Sequence, residues 1–125
     1  MIVLDASVLI AHLDQQDALH EAATERLLEL AGQTFGASSI TLAEVLGAPT
    51  RAGRLAAAST ALRSLGVSEL ALPPNAAERL ALLRCETALK LPDCCVLLAA
   101  DAADGAVLTF DERLAREAAQ RGLTA

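Results

Sequence analysis

Four acidic residues, Asp5, Glu44, Asp93 and Asp111, stand in this 125-residue chain where carboxylates can do chemistry. Asp5 closes a short aliphatic run, Ile2 to Leu4, and Asp111 follows another, Ala106 to Thr109. Asp93 opens a strongly apolar stretch, and Glu44 lies early in a segment with helical spacing. Carboxylates gathered in one cleft repel one another, and persist there only if some are protonated or a cation neutralises them. Hard oxygen donors suit Mg2+ or Mn2+, and no Cys or His stands at a spacing that argues for zinc. One or two such ions lower the pKa of a bound water, position it, and stabilise the leaving oxygen of a phosphodiester.

Such a site needs elements that carry all four acids to one place. Ile2 to Leu4 reads as a buried strand and Ser7 to Leu13 as a helix. Leu19, Ala23, Leu27 and Leu30 recur at helical spacing, with Glu21, Glu25 and Glu29 on the outer face. Thr34 to Ala37 is a strand candidate, followed by a helix through Leu42, Ala43 and Leu46. Arg54 to Leu65 is an Ala-rich helix that Gly66 is placed to close. Val67 to Leu72 forms a strand that Pro73 and Pro74 stop, and Asn75 with Glu78 reads as a capping box for the next helix. Asp93 to Ala103 is the most apolar helix, Ala106 to Thr109 the next strand, and Asp111 opens a helix ending at Gly122. Leu123 to Ala125 reads as a last short strand.

This alternation predicts an α/β fold, a parallel sheet covered on both faces, and the length predicts one domain. In open sheets of this kind ligands bind beyond the carboxyl ends of the strands, where strand order reverses. If the first strand and the Ala106–Thr109 strand are neighbours, a spacing of about 4.8 Å brings Asp5 and Asp111 within reach of one ion. The helices bearing Asp93 and Glu44 begin at that edge. Asp101, eight residues along its helix from Asp93, falls about 12 Å further away and outside the site.

Each position also has a plainer reading. Asp5 and Asp111 precede helices and can act as N-caps. Thr41-x-x-Glu44 reads as a capping box, and Asp93 suits the positive end of a helix dipole. What favours a site is that all four share one edge.

The segments IVLDASVLIA, TLAEVL, LPDCCVLLAA and VLTFDERLA around these acids resemble the PIN-domain family, specifically VapC-type ribonuclease toxins of toxin–antitoxin pairs. The resemblance covers essentially the whole chain. It implies a single PIN domain over residues 1–125, three-layer α/β/α, with a five-stranded parallel sheet in order 3-2-1-4-5. It also implies Mg2+- or Mn2+-dependent endoribonuclease activity leaving a 5′-phosphate and a 3′-hydroxyl, with Asp5, Glu44, Asp93 and Asp111 as the matched acids. Thr109 and Ser7 match hydroxyl positions expected to hydrogen-bond beside those acids, although Ser7 reads equally as a cap. Family likeness further implies an RNA substrate, a homodimer, and a cognate antitoxin that brings basic residues to the acidic pocket.

Composition narrows the alternatives. With 54% apolar and 21% charged residues the chain is neither disordered nor collagen-like, and two Phe with no Tyr or Trp leave no base-stacking platform. The apolar run Cys94 to Ala100 is far too short to span a membrane, and no basic region precedes Asp5, so a cytoplasmic protein is expected. Three cysteines without a CxxC pair suit a reducing compartment and read as small core side chains.

A net charge of −6 provides no general basic footprint, so RNA binding must rest on local Arg, on metal ions or on a partner. Arg51 and Arg54, flanking Gly53 in a Pro/Gly turn, are the candidates for phosphate contacts. Arg113 and Arg116 read as part of a dimer or antitoxin surface. His12 and His20 read as surface or helix-end groups, and Asp14 and Asp17 as solvated or capping ones.

Other α/β phosphate chemistries fit less well. A haloacid-dehalogenase-type enzyme needs a second Asp two positions after the first, where Ser7 stands. A receiver domain needs adjacent acids and a late Lys, whereas Ala6 follows Asp5 and the one Lys is Lys90. The alternative kept is a non-catalytic PIN-like RNA- or protein-binding module, against which the presence of all four acids counts.

Overall fold

The computed structural model describes residues 1–125. Four short strands, β1 (Ile2–Leu4), β2 (Phe35–Ser38), β3 (Val67–Leu70) and β4 (Ala106–Leu108), pair in parallel in the order β3-β2-β1-β4. The helices are α1 (Ala6–Leu13), α2 (His20–Glu29), α3 (Ser39–Arg51), α4 (Leu55–Leu65), α5 (Ala76–Thr87), α6 (Leu91–Ala102) and α7 (Glu112–Gln120). β1 is central: Ile2 and Val3 pair with Phe35 and Gly36 on one side, and with Ala106 and Val107 on the other. Strand order therefore reverses between β1 and β4, as the proposed position of Asp5 and Asp111 requires.

The period-2 alternation of the strands divides the core in two. Ile2, Leu4, Phe35, Ala37 and Leu108 face one layer, packed with Val8, Leu9, Leu27 and Val45 from α1, α2 and α3. Val3 and Val107 face the other, with Leu80 of α5, Leu97 and Leu98 of α6, and Leu114 of α7. The seven consecutive residues Cys94 to Ala100 are all buried, so α6 has no solvent stripe over that run. Both faces of the sheet are covered, giving the expected three layers.

The fifth strand is not formed. Thr124 makes a single parallel bridge to Val107, with Ala125 N–H donating to Val107 O at 3.0 Å. The cause lies one turn earlier, in how α7 stops. Gly122 adopts φ 70°, and Leu123 N–H turns back to donate to Ala118 O at 2.8 Å, a Schellman closure. Leu123 N–H is thereby tied to the helix end, while its carbonyl accepts from Val107 N–H, so pairing with β4 is confined to the bridge at Thr124.

Three local expectations are also corrected. Asn75 does not cap α5 with its side chain, because it sits at φ 61°, ψ 27°, whereas a capping side chain needs an extended residue. The start of α3 is capped by Ser38, whose Oγ accepts from Ile40 N–H at 3.2 Å, so Thr41 and Glu44 form no capping box. Pro49 lies inside the last turn of α3, which places Arg51 on the helix and not in a turn. Gly66 closes α4 as its position predicted. No helix is long and apolar enough to cross a membrane.

Candidate active site

Asp5 is the N-cap of α1 and 6% exposed, so its carboxylate must find donors within the fold. It finds three. Oδ1 accepts from Ala6 N–H at 2.8 Å, and Oδ2 accepts from Ser7 Oγ at 2.8 Å and Thr109 Oγ1 at 2.6 Å. Backbone donors behind the hydroxyls fix their direction: Phe110 N–H donates to Ser7 Oγ at 3.1 Å, and Asp111 N–H to Thr109 Oγ1 at 3.0 Å. With both hydroxyl protons directed at Asp5, the 3.4 Å between Ser7 Oγ and Thr109 Oγ1 is a contact and not a further bond. Oδ2 is then filled, and Oδ1 keeps one lone pair.

The other acids meet fewer constraints. Asp111 caps α7, its Oδ1 accepting from Leu114 N–H at 2.9 Å, and is otherwise exposed. The N-cap reading is thus correct for Asp5 and Asp111, and neither role excludes the other. Glu44 extends from α3; burial, then Asp5, then Asp93 push its carboxyl above the usual range. Asp93, the third residue of α6, is raised by burial, Asp5 and Asp111, against the lowering effect of Lys90 and Arg113.

These mutual repulsions link Asp5, Glu44, Asp93 and Asp111 and no other acid. Asp101 lies apart, paired with Arg79 at 2.8 Å. His12 and His20 stack on each other, ring centroids 6.2 Å apart, with Nδ1 of His12 bonded to Thr24 Oγ1 and that of His20 to Ala11 O. They form a structural pair joining α1 to α2. Asp14 and Asp17 accept from Gln16 and Leu19 N–H, as capping groups do. Cys94 and Cys95 are buried as expected, whereas Cys85 is exposed.

Lys90 and Arg113 were not singled out as neighbours of Asp93. The signal was present: Lys90 precedes Asp93 by three residues, one turn, and Arg113 follows Asp111 by two. Arg51 and Arg54 border the same groove as Glu44, a concavity of about 600 Å³. Thr41, also on α3, is fully buried, and its Oγ1 has no hydrogen-bond partner.

The donors fit a hard divalent cation, since the mutually repelling groups are all carboxylates. No three of them stand close enough to chelate one ion directly.

A family model for the PIN domain matches residues 2–119. The chain belongs to the PIN-domain family. Solved structures share the fold. A toxin–antitoxin complex from Klebsiella pneumoniae is 24% identical at TM-score 0.75, covering 89% of this chain and 87% of that one. A VapC toxin from Mycobacterium tuberculosis, described as cleaving the sarcin–ricin loop, is 18% identical at TM-score 0.76, covering 94% and 95%. The Rickettsia felis VapBC2 assembly, bound to a DNA fragment from its promoter, is 18% identical at TM-score 0.71, covering 93% and 92%. No curated protein sequence matches this PIN domain.

Proposed function

We propose that this PIN domain is a metal-dependent endoribonuclease of the toxin–antitoxin type, working in the cytoplasm and held in check by a cognate antitoxin. The observation that carries the reading is the Asp5 carboxylate. It is buried, oriented by Ser7 and Thr109, and its charge acts on Glu44 and Asp93, the latter also within the field of Asp111. A fold gains no stability from such an arrangement, which points to a use for it.

Asp5, Glu44, Asp93 and Asp111 would hold Mg2+ or Mn2+, which when bound supplies an activated water and charge stabilisation at the phosphodiester. Ser7 and Thr109 keep the Asp5 carboxylate from rotating, so its free Oδ1 lone pair points in one direction. Glu44 and Asp93, whose carboxyls are raised by burial first and by acidic neighbours second, would serve as proton acceptors beside such an ion. Lys90 and Arg113 temper the negative field around Asp93 and favour approach of an anionic backbone.

An antitoxin partner is supported by the toxin–antitoxin assemblies among the similar structures. The charge of this PIN domain would draw a basic antitoxin segment to the acid pocket. A homodimer is the assembly proposed. The non-catalytic binding module is favoured by one observation, that no three carboxylates form a chelating set.

One assay separates the two readings. Purified protein is incubated with total RNA and Mg2+ or Mn2+, against EDTA controls and the Asp5→Asn and Asp93→Asn variants. Cleavage by wild type alone, abolished by EDTA, supports the nuclease. RNA or partner binding without cleavage in any divalent ion supports the module.

A further inference from the structure

The groove that begins at Glu44 carries positive charge at its other end. Ile10 and Leu13 of α1, Val45 and Ala48 of α3, and Ala57 and Ala61 of α4 form its walls, and Arg51 and Arg54 lie on its border. Neither Arg is engaged in an ion pair. The three salt bridges of the molecule use Arg26, Arg79 and Arg121, even though Asp14 and Glu44 line this same groove. Unpaired guanidiniums beside acids, on a chain of net charge −6, are available for an external anion.

Their positions are set by backbone features. Arg51 folds back over α3, and a Cβ placed on Gly47 would sit 3.4 Å from its Nη1. Gly47 is one turn beyond Glu44, so the guanidinium lies along the helix face that leads to the acids. Arg54 is fixed by the Schellman end of α3: Gly53 adopts φ 72°, and Arg54 N–H donates to Pro49 O at 2.7 Å. Seven helical residues separate Glu44 from Arg51, about 10 Å along the axis, a span of a few nucleotides.

We propose that Arg51 and Arg54 bind backbone phosphates of the RNA strand beside the scissile phosphate, and that this groove is the strand's path away from the acid pocket. The proposal rests on the nuclease reading and extends it to how the strand is held. Guanidinium forks match phosphate oxygens in a bidentate manner, and the aliphatic walls accept ribose and base faces without reading sequence. The acids need a cation before they tolerate a phosphate; the two Arg do not. The groove thus gives the strand a holding point independent of the ion.

The test is steady-state cleavage of a fluorogenic single-stranded RNA by the full chain in Mn2+, over a range of salt. Arg51→Ala/Arg54→Ala is compared with Arg51→Lys/Arg54→Lys, and with Arg84→Ala as an exposed control on α5. The double Ala variant is expected to raise KM about tenfold with kcat within about twofold, and to flatten the dependence of log(kcat/KM) on log[salt] by about 1.4, two contacts of about 0.7 each. The double Lys variant restores most of the salt slope, and Arg84→Ala leaves it unchanged. Unchanged KM and salt slope in the double Ala variant, with wild-type cleavage intact, overturn this proposal alone. So does an unchanged slope accompanied by lost affinity for a fluorescent acidic peptide, which would assign the groove to a protein segment. Absence of RNA cleavage by the wild type overturns the nuclease reading and this inference with it.

Discussion

Replacing Thr109 by Val preserves the shape of the side chain and removes one hydroxyl, which donates to Asp5 Oδ2 at 2.6 Å and accepts from Asp111 N–H at 3.0 Å. A hydrogen bond to an ionised group is worth roughly 1.5–3 kcal/mol, and this one lies at a half-buried residue, so a loss of about 2 kcal/mol is expected. Asp111 N–H adds little, because it sits at an exposed residue and rehydrates. For a chain of this size about 2 kcal/mol corresponds to a fall of about 8 °C in Tm. The diagnostic measurement is a double-mutant cycle by urea unfolding. Against an Asp5→Asn background the Thr109→Val cost should drop below about 1 kcal/mol, because the charged acceptor is gone. If the two substitutions are simply additive, or Thr109→Val costs under about 0.5 kcal/mol, the hydroxyl is not what holds Asp5 and the account of the site is wrong.

Three further outcomes are expected. Glu44 and Asp93 have carboxyls raised in the fold by burial first and by acidic neighbours second, so each favours folding when protonated and loses that contribution as pH rises through its folded pKa. At pH 7.5 without divalent ions, Glu44→Gln and Asp93→Asn should therefore raise Tm while abolishing cleavage; a lowered Tm in both would contradict the repulsion. His12 is shifted the other way, lowered by burial and then by His20, so its contribution is present above about pH 6.5 and lost as pH falls toward its folded pKa. The pH dependence of urea midpoints should flatten over that window in His12→Gln, and an unaltered profile would count against it. At the start of α3, Ser38→Ala should cost about 1 kcal/mol through loss of the cap, whereas Thr41→Val should be neutral or stabilising because its buried hydroxyl has no partner. A loss above about 1 kcal/mol for Thr41→Val in thermal unfolding would reveal a partner.

Much of this was legible in the chain itself because the decisive signals are local and covalently close to their consequences. A β-branched or aliphatic run ending in Asp, twice, placed β1 and β4 with an acid at the end of each, and the alternation of elements made the sheet parallel. The hydroxyls of Ser7 and Thr109 stand two residues from Asp5 and Asp111, so finding the acids located them as well. Illegible features depended on backbone states that several residue types share. Asn75 tolerates both capping and left-handed geometry, and its structure takes the second. The Thr41–Glu44 spacing is compatible with a capping box, but the helix starts three residues earlier at the better cap, Ser38. Leu123 to Ala125 has strand-like composition, yet the glycine that ends α7 commits the Leu123 N–H to the helix and leaves only a single bridge to β4. Arg113 stands two residues from Asp111, but its effect on Asp93 depends on how α7 docks beside α6, which local sequence does not encode.

The bond from Thr109 to Asp5 joins residues 104 positions apart. A nascent chain emerging from the ribosome carries Asp5 first, but lacks β4 and therefore both the hydroxyl and the capped acid that complete the pocket. Assembly of this corner is among the last contacts available during synthesis, a delay set by sequence separation alone. Until β4 emerges Asp5 lacks the Thr109 hydroxyl that orients it, so the order of the strands in the gene dates the completion of this corner.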